Sequence, residues 1–316
     1  MTTSNLLVKL GDRLFDDKAE AEAFVAAIAA AQGGDRALIW LNAPPEPRPF
    51  AVLPPLPWQP GWCDRLNPAE KPGKQPLHDQ GAYYCLDFSS VFSASVLLAI
   101  SEPMPWVLDL CSAPGGKGLF AWRLLQPETL WCNEAIRKRV KILIANLKRC
   151  GAYSAQVFNL DPQVFAEEVP HSASLVIVDA PCSGQSLVAK GGKAEGCFHK
   201  VTINKNANRQ KRIIAHAAQT VAGGGYLAYM TCTFSRAENE QVGEWLLRKF
   251  PQFEPLEVPH LADYQSHLGG YPCYRLWPQS GLGAGAFTAL FRNCDTTSQP
   301  VNPAFASQYA MTLERS

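Results

Sequence analysis

The chain reads as an α/β protein: a doubly wound, mostly parallel sheet with an antiparallel last strand, preceded by a small N-terminal α+β module. Three observations predict this. From about Trp106 onward, short apolar runs alternate with helical stretches. Residues able to do chemistry cluster just after those runs, at the carboxyl ends of strands, where open parallel sheets place their sites. Upstream, 11 of the 25 prolines fall between Pro44 and Pro76, a density that favours extended and turn conformations over helix.

In residues 1 to about 75, Lys18–Ala31 is alanine-rich with acids at its start, which predicts a helix, and Ala37–Leu41 is strand-like. The proline-rich stretch then predicts an extended connector. Residues 76–294 carry the sheet. Trp106–Leu110, Thr129–Asn133, Gln156–Asn159, Leu175–Asp179 and Gly225–Thr231 predict strands, and Lys117–Leu125, Ala135–Lys148, Asn206–Val221 and Arg236–Phe250 predict helices. Phe253–Val258 and Ala286–Arg292 predict a closing hairpin. Residues 295–316 mix Thr, Ser, Gln, Asn and Pro and predict a flexible tail.

Composition bounds the class. Of 316 residues, 47% are hydrophobic and 18% charged, which argues for a packed chain against a disordered one. The longest apolar stretch, around Val91–Ile100, is too short to span a bilayer. Asp12, Asp16, Asp17, Glu20 and Glu22 argue against a secretory signal, so a soluble, cytoplasmic protein is expected, as a monomer. No two of the ten cysteines stand closer than 15 residues, so no metal site and no disulfide framework are expected.

The first strand of the sheet runs into Cys111-Ser112-Ala113-Pro114-Gly115-Gly116-Lys117 and then a helix. Small residues at such a turn let the backbone approach a ligand, and the helix N-terminus supplies N–H donors for an anion. A phosphate-binding P-loop would need Gly at Cys111 and Ser or Thr at Gly118, so that reading fails. What remains is a loop for the amino-acid end of a compact cofactor such as S-adenosylmethionine, with Lys117 adding positive charge. Glu134, after the second strand, suits two ribose hydroxyls. Asp161, after the third, suits an adenine amino group.

Strand four leads into Asp179-Ala180-Pro181-Cys182-Ser183-Gly184, and strand five into Thr231-Cys232-Thr233-Phe234-Ser235. Ser235 and Glu238 match the S-x-x-E capping box, which predicts a helix start just after Cys232 and a thiol biased toward thiolate. Adjacent strands bring Cys182 and Cys232 to one crevice.

DLCSAPGGK, DAPCSG and TCTFSRAENE, in that order and spacing, resemble the motifs of the Sun-type (Nol/Nop/Sun) RNA cytosine-5 methyltransferases, RsmB/RsmF-like. The resemblance covers most of residues 38–293 and implies a Rossmann-like class I methyltransferase fold. It implies Cys232 as the nucleophile on cytosine carbon 6, Asp179 at the nitrogen 3 edge, Cys182 in release of the methylated base, and Lys117 near the same base. It implies S-adenosylmethionine held by Cys111, Ser112, Ala113, Pro114, Gly115, Gly116, Lys117, Glu134, Asp161 and Asp179. Ribosomal RNA is the expected substrate and transfer RNA the runner-up. A non-catalytic RNA-binding or assembly factor is the rival from another class, opposed by the presence of both cysteines with Asp179 and Lys117. The chain departs from the family's usual pattern at Ser112 (usually Ala), Gly118 (usually Thr) and Leu86 (usually Gln).

Net charge is +1, yet the basic residues cluster. Arg137–Arg149 holds six and no acid; Lys190–Arg212 holds seven against Glu195. Lys190, Lys193, Lys200, Lys205 and Arg209 are candidate contacts to RNA phosphates. The first 75 residues carry 8 positive and 9 negative groups, so that module is expected to grip RNA by shape and by aromatics such as Trp58 and Trp62.

Overall fold

The computed structural model describes residues 4–311 and 313. In chain order the elements are α1 (Asn5–Leu14), α2 (Lys18–Ala30), β1 (Arg36–Trp40), β2 (Cys63–Leu66), α3 (Pro76–Asp79), β3 (Tyr83–Asp87), α4 (Phe88–Ala94), β4 (Trp106–Asp109), α5 (Gly116–Leu125), β5 (Thr129–Asn133) and α6 (Arg137–Arg149). There follow β6 (Gln156–Phe158), α7 (Pro162–Glu168), β7 (Ala173–Asp179), α8 (Gln185–Ala189), α9 (Lys200–Thr220), β8 (Val221–Thr231), α10 (Glu240–Lys249), β9 (Phe253–Pro255), β10 (Tyr274–Leu276), β11 (Ala286–Asn293) and α11 (Pro303–Tyr309). Among the described residues no helix is long and apolar enough to cross a membrane.

An eight-stranded sheet runs β10-β11-β8-β7-β4-β5-β6, with β9 beside β11. Strands β4 to β8 are parallel, and β11 is antiparallel to β8. The alternation of side chains explains why helices cover both faces. Val107 of β4 enters one apolar core with α4, α5 and α6, while Trp106 and Leu108 enter the other with α7 and α9. The closing pair β9–β11 forms, but not as a hairpin, because β10 comes between them in the chain and pairs with β11 as well.

The N-terminal module does not end at residue 75. Its sheet is β2-β1-β3, so β3, from Tyr83, belongs to it. Ala37 and Ile39 of β1 face the main core, while Leu38 and Trp40 face Phe50, Leu66 and Tyr83. Trp58 is 2% exposed and stacked on Phe88, and Trp62 packs on Phe120. Trp58 thus serves the core and has no exposed face to offer RNA, whereas Trp62 is only partly buried against that core.

The segment from Asp295 is not a loose tail over its described part. Phe305 of α11 is 1% exposed and stacks on Trp131 with ring centroids 5.2 Å apart. Met311 then bridges to Val157 on β6. The polar composition hides one apolar face, Phe305, Ala306 and Tyr309, at helical spacing. Residues 312 and 314–316 lie outside the described residues.

Candidate active site

The loop after β4 turns on a glycine that needs a left-handed backbone: Gly115 has φ +114° and stands at the start of α5. Gly116 permits close packing, since a Cβ there would lie 2.9 Å from the Tyr84 ring. Of the seven loop residues, Cys111 and Ala113 line a cleft of about 390 Å³ at the strands' carboxyl ends. The Pro114 carbonyl accepts from Asn146 of α6, 2.8 Å away, and Gly115 packs toward Leu143, so these two brace the loop from behind. Ser112 is buried, its N–H donating to the Asn133 carbonyl at 2.7 Å.

The departures at positions 112 and 118 prove to be neighbours. A Cβ on Gly118 would stand 2.9 Å from Asp109 Oδ2 and 3.3 Å from Ser112 Oγ. Asp109 is wholly buried, and neither of its carboxylate oxygens has a hydrogen bond among the described residues. Burial pushes its acid up to about 7.

Glu134 and Asp161 both line the cleft. Glu134 follows β5; Oε1 accepts from the Ile136 N–H at 2.9 Å, and Oε2, 2.9 Å from Arg139, accepts no hydrogen bond. Asp161 is the N-cap of α7, Oδ1 accepting from Gln163 N–H at 3.0 Å, with Arg212 3.4 Å from Oδ2. The residues suit S-adenosylmethionine. The cleft has the size of a small-molecule site, its acids sit at successive strand ends for hydroxyl and amino donors, and Ile136, Pro162 and Leu187 supply apolar wall.

Asp179, Cys182 and Cys232 line the same cleft. Lys117 reaches across from α5 to place Nζ 2.7 Å from Asp179 Oδ2. Burial alone would lower the Lys117 pKa, but the charge and hydrogen bond of Asp179 outweigh it and the ammonium is favoured. The Cys182 and Cys232 sulfurs are 3.2 Å apart. The Cys232 thiol is lowered to about 7, chiefly by the hydrogen bond from Cys182, with help from Lys117 and Ser186 and against burial and Asp179. Cys182 is correspondingly raised, first by its bond to Cys232 and then by burial.

The capping box does not form. Helix α10 starts at Glu240, and Glu238 is wholly buried, its carboxylate turned away from Ser235 toward the Cys182 loop. Oε1 accepts from Ser183 N–H at 2.8 Å and Oε2 from Ser183 Oγ–H at 2.6 Å. The thiolate bias of Cys232 therefore does not come from a helix N-terminus beside it. Further ties join the two loops. Ser183 and Thr233 hydroxyls lie 2.7 Å apart, Phe234 N–H donates to Gln185 Oε1 at 2.8 Å, and Ser186 N–H donates to the Cys232 carbonyl at 3.2 Å. Sequence reasoning missed the roles of Gln185, Gln210 and Arg139, all outside the quoted motifs, and for Glu238 the motif TCTFSRAENE gave a signal but not its partner.

The candidate RNA contacts divide. Lys190 is 3.2 Å from Asp87, which also caps α4 by accepting from Ser89 N–H at 2.9 Å. Lys190 thus ties the module to the PCS loop. Arg209, bonded to Asn206, lines the same cleft as Cys182 and Cys232, together with Arg212. Lys193 and Lys205 are exposed. Lys200 lines a different groove of about 410 Å³, with Lys9 and Arg13 of α1 and Arg236 of the loop after Cys232, and no acid.

The mostly parallel sheet with its antiparallel β11, and the cleft at its strand ends, give the Rossmann-like fold of the class I methyltransferases. The chain belongs to the family of 16S rRNA methyltransferase RsmB/F, whose model matches residues 96–292. It is 35% identical to the ribosomal RNA small subunit methyltransferase F of Photobacterium profundum over 79% of this chain and 54% of that protein. It is 34% identical to the protein of the same name from Escherichia coli O9:H4 over 80% of this chain and 54% of that one. The chain thus spans about half the length of these curated relatives. The fold resembles the crystal structure of NSun6 from Pyrococcus horikoshii, with TM-score 0.73, 18% identity, and 92% and 98% of the two chains covered.

Proposed function

We propose that the protein is an S-adenosylmethionine-dependent RNA (cytosine-5)-methyltransferase acting on ribosomal RNA. The observation that carries this reading is the apposition of Cys182 and Cys232 at 3.2 Å, beside the Lys117–Asp179 pair and on the cleft lined by Cys111, Glu134 and Asp161. The names of the relatives favour ribosomal over transfer RNA.

S-adenosylmethionine supplies an electrophilic methyl group when bound. The Cys232 thiolate adds to carbon 6 of the target cytosine, and the electron pair of the ring's 5,6 double bond makes carbon 5 nucleophilic. Negative charge spreads to the nitrogen 3 edge, where the Lys117 ammonium, held at 2.7 Å by Asp179, supplies the neutralising proton. After methylation Cys182, its own proton first released to water in the cleft it lines, takes the carbon 5 proton; the electron pair returns to the ring and expels Cys232 as thiolate. Adduct formation itself prepares Cys182 for this step. Its pKa is raised first by the hydrogen bond to Cys232, and once Cys232 is a thioether that cause has weakened.

RNA flanking the target runs from the cleft into the groove of Lys9, Arg13, Lys200 and Arg236, whose charge suits phosphates. Incubation with methyl-labelled S-adenosylmethionine and small-subunit ribosomal RNA, followed by bisulfite sequencing, is expected to protect a discrete cytosine. Incorporation at any other atom, or none, overturns the reading.

A further inference from the structure

The structure assigns to Glu238 the role of a positioning residue that holds Cys182 against Cys232. Glu238 lies between the two cysteine loops with no exposure, and it grips the residue next to Cys182 twice, at Ser183 N–H and Ser183 Oγ–H. Gln210 of α9 secures the other side. Its Nε2 donates to the Pro181 carbonyl at 3.1 Å and to Glu238 Oε1 at 3.2 Å. Cys182 is thereby bracketed at residues 181 and 183.

The donors define the proton order. Both Glu238 oxygens accept, so the Ser183 hydroxyl donates to Glu238 and accepts from Thr233 Oγ1–H at 2.7 Å. The chain Thr233 to Ser183 to Glu238 thus crosses from the Cys232 loop to the Cys182 loop and back to the segment after Cys232. The Tyr229 hydroxyl, donating to the Glu238 carbonyl at 2.6 Å, pins that segment to β8. Cys232 itself has a separate support, since it follows β8 directly and its carbonyl accepts from Ser186 N–H. Removing the Glu238 carboxylate therefore loosens Cys182 more than Cys232, and leaves the Ser183 N–H buried without a partner.

The assignment rests on the proposed roles of the two thiols only for its catalytic readout; a second readout needs no RNA. In the first experiment, alkylation of Cys232 by iodoacetamide is followed against pH by peptide mass spectrometry in the wild type, Glu238→Ala, Glu238→Gln and Gln210→Ala. Loss of the Cys182 hydrogen bond is expected to move the midpoint upward by about one unit in Glu238→Ala, a tenfold change in the ionisation constant. A smaller upward shift is expected in Gln210→Ala. Glu238→Gln, which keeps an acceptor for Ser183 N–H, is expected to stay near the wild type. An unchanged midpoint in both alanine variants overturns the assignment, and Gln210→Ala carries the test should Glu238→Ala not fold.

In the second, the denaturation-resistant protein–RNA adduct is timed. Timed at a pH above both alkylation midpoints, where Cys232 is thiolate in either protein, Glu238→Ala is expected to form it at close to the wild-type rate and to resolve it about tenfold to hundredfold more slowly, the scale on which about an ångström of misplacement acts. Equal slowing of formation and resolution would mark general loosening and overturn the assignment. Cys182→Ala, run alongside, separates the two ideas: no persistent adduct there means that the release role of Cys182 is wrong, while the alkylation midpoints still decide the role of Glu238.

Discussion

Cys182 and Cys232, 50 residues apart in the chain, meet at 3.2 Å because β7 and β8 are adjacent parallel strands and each thiol follows its strand's carboxyl end. The pair is asymmetric. The hydrogen bond lowers the Cys232 thiol to about 7 and raises that of Cys182. Two thiols of one chemical type thereby acquire different states, one able to attack near neutral pH and one still holding its proton.

Cys232→Ala is expected to abolish methyl transfer and adduct formation while leaving S-adenosylmethionine affinity within about threefold, because the cleft keeps Cys111, Glu134 and Asp161. Calorimetric titration of the cofactor beside a methyl-incorporation assay checks this. Activity in the variant would remove Cys232 from the nucleophile's role.

The pH dependence of adduct formation follows from the same asymmetry. The attacking form is the anion, so the rate is expected to rise with pH and level off above about 7, the value to which Cys182 lowers Cys232. Cys182→Ala removes the largest cause of that lowering and is expected to move the midpoint upward while the adduct persists. A midpoint unmoved by Cys182→Ala would mean that Lys117 or Ser186 sets the thiol instead.

The placement of the motifs was legible because open parallel sheets expose their strand ends on one side, and four of the strands could be read from apolar runs that end in polar residues. The role of Glu238 was not. A local spacing rule assigned it to Ser235 three residues away, whereas its hydrogen bonds go to Ser183, 55 residues away. Burial decides between the two, and a spacing pattern carries no burial. The end of the chain was misread for a related reason: Phe305 alone among polar neighbours carries little signal until Trp131 and Phe165 are seen around it. Likewise the basic count placed Lys190 with the RNA contacts, while its charge is matched by Asp87 from another sheet.

Phe305→Ala is expected to destabilise the protein by about 3 kcal/mol, the lower end for deleting a buried aromatic ring. Urea unfolding measures it. A change below about 0.5 kcal/mol, typical of a surface site, would show that α11 does not dock in solution.

Ser112 and Gly118 are expected to behave as one unit. Gly118→Thr alone should cost about 1–3 kcal/mol through crowding against Asp109 Oδ2 and Ser112 Oγ, in spite of the gain of up to about 1 kcal/mol from replacing a helical glycine. With Ser112→Ala one of the two crowding atoms is gone, and the threonine hydroxyl can donate to Asp109, whose oxygens lack a hydrogen bond. The double variant should therefore recover at least about 0.5 kcal/mol relative to the sum of the singles. Strict additivity in chemical unfolding would dissociate the two positions.

The groove between α1 and the start of α9 has a charge signature that salt can read. Lys9, Arg13 and Lys200 line it and have no ion-pair partner among the described residues, whereas Arg236 is shared with Glu244 at 3.3 Å. Ser235 on its wall is three residues from Cys232, a span of at most about 11 Å, so one RNA strand can reach both the groove and Cys232. If these three cations contact phosphates of unpaired RNA, replacing all of them with alanine should flatten the dependence of log affinity on log salt by about 2, since each contact contributes roughly 0.7. Lys193→Ala together with Lys205→Ala, both exposed and outside the groove, should change the slope less. Filter binding between low and moderate salt measures both. A triple variant with the wild-type slope would place the RNA on another face, leaving the chemistry of the cleft untouched.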